Sequence, residues 1–217
     1  MKNLTINDFM DRCRIRIFNA YSDPIINARL APFGFDEAKH LANQALYQET
    51  LQFVQNQKKE SAEWASACTA YRQALEKARS DFKSIRKKLA YWLQPDDPKA
   101  QALQLYNNNI TKISDFVFTA KHFYSTLLAD ADTLALLTPF GYTQEAVTGL
   151  EQKINELDTL KENREKEEGD SQYATKSRNA KLDELDEVSE QIKELGLLVF
   201  EDDEGQYLEK LGILVRS

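Results

Sequence analysis

Glycine and proline are scarce in this chain, seven and five among 217 residues, and between Glu37 and Leu93 neither occurs. That scarcity argues against a turn-rich β architecture. With abundant Ala, Leu, Glu, Lys and Gln, which lose least on entering a helix, it predicts an all-helical protein. There are two cysteines, Cys13 and Cys68, too few for a disulfide framework and not arranged as Cys-x-x-Cys. No apolar run approaches the roughly 18 residues that a membrane span needs, and Met1-Lys2-Asn3-Leu4-Thr5 lacks the apolar stretch of a signal peptide. The expected location is cytoplasmic, without a membrane partner. Also missing are a Gly-rich phosphate loop, a Gly-x-Ser-x-Gly elbow and a His-Glu-x-x-His motif. The expectation is therefore a protein that is not an enzyme, with no catalytic residues and no cofactor.

What the chain does contain is a repeat. Ala31-Pro32-Phe33-Gly34-Phe35 returns 107 positions later as Thr138-Pro139-Phe140-Gly141-Tyr142. Sliding Ile6–Phe35 onto Ile113–Tyr142 without a gap gives nine identities, among them Asp8, Phe9, Asp23, Pro32, Phe33 and Gly34. Chance alignment of ordinary sequence gives about two. The chain reads as a tandem duplication, with repeats at 1–107 and 108–217.

Each repeat begins with an amphipathic helix. Thr5 with Asp8 makes a capping signal, and Ile6, Met10, Cys13, Ile17 and Ala20 then form one apolar stripe. Cys13, opposite Ala120 in the alignment, reads as a small core residue. Pro24 predicts a kink at Ser22-Asp23-Pro24, not an end, because its counterpart Ala131 lies in an uninterrupted pattern. The Pro-Phe-Gly-aromatic segment then stops the helix. Gly34 and Gly141 supply positive φ, Asp36 and Thr143 follow as N-caps, and Tyr142 with Val147, like Phe35 with His40, forms a hydrophobic staple. The two aromatics of each turn are expected to plug the end of the core.

As one helix, 37–93 would span ~85 Å. The polar stretches Gln55–Glu63 and Lys161–Gln172, the latter with Gly169-Asp170, suggest a hairpin tip in each repeat. Against a tip stands a four-three phase that continues through Val54, Gln57, Ser61 and Trp64, as an unbroken helix requires. Beyond it runs an aromatic-rich seam from Trp64 and Cys68 through Tyr71, Leu75, Ala78, Phe82, Ile85 and Leu89 to Trp92, a coiled-coil period that reads as core. The second repeat keeps Leu182, Leu185 and Ile192 but has Arg178 and Ser189 in place of Tyr71 and Phe82. One face there is expected to be exposed or covered by another chain. Acidic turns, Pro95-Asp96-Asp97-Pro98 and Glu201-Asp202-Asp203-Glu204-Gly205, precede short amphipathic pieces; they lack calcium-loop spacing and read as helix-start carboxylates.

Charge is unevenly shared. The net value is −7, but residues 1–107 balance at +4 and 108–217 at −11, which predicts attraction between the halves, within a chain or between chains. An acidic protein is a poor nucleic-acid binder, despite a local basic cluster of Lys83, Arg86, Lys87 and Lys88. Glu37 and His40 match the Glu-x-x-His spacing of di-iron bundles. That motif is not repeated, however: the second copy has Glu145 and Thr148, and Thr119 precedes His122. No metal is expected.

The Phe-Gly-aromatic turn, the polar stretch from Tyr173 to Lys181 and the tail from Tyr207 to Ile213 together resemble a group of uncharacterised bacterial helical proteins, similar in length and likewise duplicated; the resemblance implies no activity. The expected fold is all-α: an internally duplicated antiparallel bundle of two three-helix repeats packed as one, or alternatively of repeats with one short and one very long helix. The expected role is protein–protein interaction or scaffolding, with self-association. The alternative is a metal- or small-ligand-binding bundle using Glu37, His40 and neighbouring carboxylates.

Overall fold

A computed structural model describes residues 4–107, 110–201 and 205–214, and among them there is helix and no strand. In chain order the helices are α1 (Ile6–Ser22), α2 (Pro24–Leu30), α3 (Glu37–Trp92), α4 (Pro98–Ala102), α5 (Ile113–Ala129), α6 (Ala131–Ala135), α7 (Gln144–Val199) and α8 (Gln206–Lys210). None is both long and apolar enough to cross a membrane. Asp202, Asp203 and Glu204 of the second acidic turn lie outside the described residues.

The hairpin tips are absent. α3 and α7 are each continuous over 56 residues, so each of the two long stretches is a single helix, accompanied by several shorter ones. Polarity misled here, because Gln, Lys, Glu and Arg are good helix formers, and a lone Gly169 costs only about 1 kcal/mol relative to Ala. The expected kink at Pro24 is also an end. Asp23 is extended, with φ −83° and ψ 117°, and its carboxylate accepts from the amides of Ile25 and Ile26 as the cap of α2. Asp130 does the same for α6, where no proline follows. The break is set by the aspartate, one of the nine identities, with Pro24 occupying a first-turn site where its missing N–H is harmless.

The turn motif behaves largely as expected. Gly34 and Gly141 have φ of 85° and 81°. The amide of Lys39 donates to Asp36 Oδ1 at 2.8 Å, and that of Ala146 to Thr143 Oγ1 at 3.2 Å. Only the second aromatic packs inward: Phe35 is buried and Tyr142 lies against the core, whereas Phe33 and Phe140 are exposed.

The chain divides into two compact units. One comprises residues 1–61 with 170–217, the other residues 62–169. A helix as long as α3 reaches beyond what α1 can cover. Its first half therefore shares a core with α1, α2 and the second half of α7, and its second half shares one with α5 and the first half of α7. Position 107–108 is thus not a unit boundary. Within the first unit, Arg178 Nη1 donates to Gln57 Oε1 at 2.7 Å. The gap anticipated at Ser189 is filled: Arg16, itself buried, donates to Ser189 Oγ at 3.1 Å and to Glu190 at 2.8 Å. In the second unit, Phe82 meets Phe116, Phe123 and Tyr124 edge-on at 5.6, 5.1 and 6.1 Å. The seam is buried from Tyr71 to Leu89, while Trp64 and Trp92 at its ends stand exposed.

A basic groove on the third helix

Helical spacing gathers Arg79, Lys83, Arg86, Lys87 and Ala90 on one face of α3, at intervals of four, three, one and three. Facing them are Leu105, Tyr106, Ile110 and Phe116, and the two sides enclose a groove of about 430 Å³ within residues 62–169. That volume is in the range that holds a small ligand or a few side chains, roughly 300 to 1,000 Å³.

The far wall exists because the chain folds back after α4. Gln104 takes a positive φ of 49°, which turns the carbonyls of residues 104, 105 and 107 toward α3. Arg86 collects them: Nε donates to Leu105 O at 3.0 Å, and Nη2 donates to Asn107 O at 2.8 Å, to Gln104 O at 3.3 Å and again to Leu105 O. Tyr106 is anchored through its hydroxyl to Leu93 O at 2.6 Å. Burial lowers the pKa of Arg86, yet a guanidinium stays protonated, so this charge serves as a clamp on the wall.

The floor is aromatic. Arg86 lies over the Phe82 ring at 5.1 Å and Arg79 over the Phe116 ring at 5.3 Å, each in cation–π range. The rim is made by Arg79, Lys83 and Lys87, all exposed. Among the described residues no carboxylate lines the groove or lies within ion-pair distance of these three. A second depression of about 420 Å³, lined by Tyr71, Phe118, Lys121 and Arg164 among others, differs in that its cations are occupied. Lys121 pairs with Asp158, and Arg164 covers the Tyr71 ring and contacts Glu165.

Of the four cations clustered in the sequence, three meet in the groove. Lys88 projects from the other side of α3 and reaches Ser84 and the Tyr142 hydroxyl at 2.8 and 3.2 Å. Arg79 was missed, although its spacing of four and eight from Lys83 and Lys87 was available. Glu37 and His40 both meet Tyr21. Glu37 is exposed and accepts from the Tyr21 hydroxyl at 3.3 Å. His40 is fully buried between Tyr21 and Phe35, with ring centroids 5.3 and 5.7 Å away, and neither ring nitrogen makes a hydrogen bond of good geometry. Burial lowers its pKa, with the Phe35 backbone and the Asp36 carboxylate opposing in part. Cys13 is buried, as expected, and burial pushes its thiol pKa up.

Compared with family models, curated proteins and solved structures, the chain gives no match to any of the three.

Proposed function

We propose that this protein is a non-catalytic interaction module that takes an acidic, apolar-studded protein segment into the groove on α3. One observation carries the reading: exposed Lys83 and Lys87, with no carboxylate in ion-pair range among the described residues, stand across a groove from exposed Tyr106. Cations at the rim select carboxylates and raise the encounter rate, while exposed Tyr106 in the opposing wall supplies apolar surface that a partner can bury. The lining presents charge and aromatic faces, the means of binding. A nucleic acid fits less well, because affinity there comes from neutralising many phosphates, and the chain carries a net −7.

The test is fluorescence anisotropy with a labelled helical peptide bearing Glu at every fourth position and Leu between. The peptide should bind at low salt, and Lys83→Glu with Lys87→Glu should weaken it at least tenfold, while Lys77→Glu should not. Equal binding to the groove variant, or stronger binding of a DNA duplex, would overturn the reading.

We also infer that the halves arose by duplication. The offset of 107 relates α1 to α5 and α3 to α7 residue for residue at both ends. It also maps contacts onto contacts. The Phe82–Phe123 ring pair corresponds to Ser189–Arg16, and the Tyr71–Arg164 cation–π pair corresponds to Arg178–Gln57. In both cases the two partners have changed together.

A further inference from the structure

We propose that the segment received by the groove is the second half of α7 from another copy of this chain. The inference rests on the reading above, that the groove takes an acidic protein segment, and it adds the identity of that segment.

Its basis is a charge inversion. Applying the offset of 107 to the rim residues Arg79, Lys83 and Lys87 gives Asp186, Glu190 and Glu194. Three cations at steps of four on one unit thus stand where three carboxylates stand on the other. The match extends to the apolar positions. Ala90 and Tyr91 correspond to Leu197 and Leu198, and of these Tyr91, Leu197 and Leu198 are 73%, 44% and 67% exposed. On α3 the three cations, Ala90 and Tyr91 fall within about a third of the helix circumference, and the acidic set on α7 does the same. Each helix therefore offers a line of charges at the same ~6 Å spacing, opposite in sign, with exposed apolar side chains just beyond.

Two of the three carboxylates are unpaired, Asp186 being half-buried. Asp186 and Glu194 have no cation within ion-pair distance among the described residues, and Glu194 is exposed. Glu190 is held by Arg16 and Lys193, so it anchors the stripe while its neighbours supply the free charge. Because donor and acceptor faces differ, the contact is heterologous, joining copies head to tail into rings or open chains. It is also salt-sensitive, since exposed charges are screened within about 8 Å at physiological ionic strength.

The experiment is sedimentation and light scattering of the full chain from about 0.02 to about 0.5 M salt. Two neutralised variants are used, Lys83→Gln with Lys87→Gln and Asp186→Asn with Glu194→Gln. Wild type should exceed the 24.9 kDa of one chain at low salt and return to it at high salt. Each variant alone should stay monomeric. Their equimolar mixture should give a dimer and nothing larger, because each partner retains one working face. A wild type that stays monomeric while the labelled peptide still binds the groove would overturn this inference and leave the interaction reading standing. Failure of both would remove both. Association of the wild type with no dimer in the mixture would mean that copies meet through another surface, which also overturns it.

Discussion

Replacing Gly141 by alanine isolates the backbone contribution of the turn that starts α7. The φ there is 81°, and an added Cβ would meet nothing within 4 Å, so no clash contributes and the change is purely conformational. A non-glycine residue in the left-handed region loses roughly 1 to 2 kcal/mol, partly offset by the smaller entropy of the unfolded chain, about 0.4 to 1 kcal/mol. The net is a loss of about 1 kcal/mol. Gly149→Ala provides the internal control, because this glycine is inside α7 with equally open surroundings, and alanine there should gain roughly 0.5 to 1 kcal/mol. The two variants should therefore differ by about 2 kcal/mol, or roughly 4 to 8 °C of melting temperature per kcal/mol for a unit of about 100 residues. Both tryptophans, Trp64 and Trp92, belong to the unit of residues 62–169, so urea unfolding followed by tryptophan fluorescence reads that unit directly. If both substitutions stabilise, or shift the midpoint equally, the turn does not depend on positive φ and the reasoning fails.

Three further outcomes are expected. Burial lowers the pKa of His40 from its ordinary 6.5, so below that value the unfolded chain takes up the proton first. Stability should thus fall as pH drops from about 6.5, and His40→Val, which copies Val147, should flatten that slope in urea titrations followed by circular dichroism. Arg16→Phe and Ser189→Phe should each destabilise, the first by about 2 kcal/mol because a buried charge-assisted bond is lost. Together they recreate the 82–123 ring pair, and a double-mutant cycle should return at least about 1 kcal/mol of favourable coupling. Residues 62–169 form a contiguous unit with its own core. Expressed alone, that segment should unfold cooperatively by circular dichroism, whereas residues 1–107, which hold parts of two cores, should not.

Local rules were legible in the sequence wherever one residue decides the outcome. The positive φ of Gly34 and Gly141, and the caps at Thr5, Asp36 and Thr143, follow from short-range chemistry and are observed. The fate of Gln55–Glu63 was less legible because composition and periodicity disagreed. Solvated polar residues fit a hairpin tip and a long helix equally, and the unbroken four-three phase was the better guide. Proline drew attention from the aspartate beside it, although Asp23 and Asp130 were identical across the repeats and Pro24 and Ala131 were not. The compact units were hidden for a topological reason, since the first is assembled from the two ends of the chain. The groove needed the fold as well. Three of its cations were clustered within five residues of sequence, but the opposing wall of Leu105 and Tyr106 is held in place by Arg86 reaching carbonyls 18 to 21 positions away.

The most direct measurement of the central claim, that the groove on α3 is the working surface, is residue-resolved amine labelling of the lysines with and without the acidic peptide, read by mass spectrometry. Lys77, paired with Asp81 on another face of the same helix, serves as the reference. Lys83 and Lys87 should label at least tenfold more slowly when peptide is bound, with Lys77 unchanged. Unaltered labelling of Lys83 and Lys87 under conditions where the peptide is bound would contradict the account.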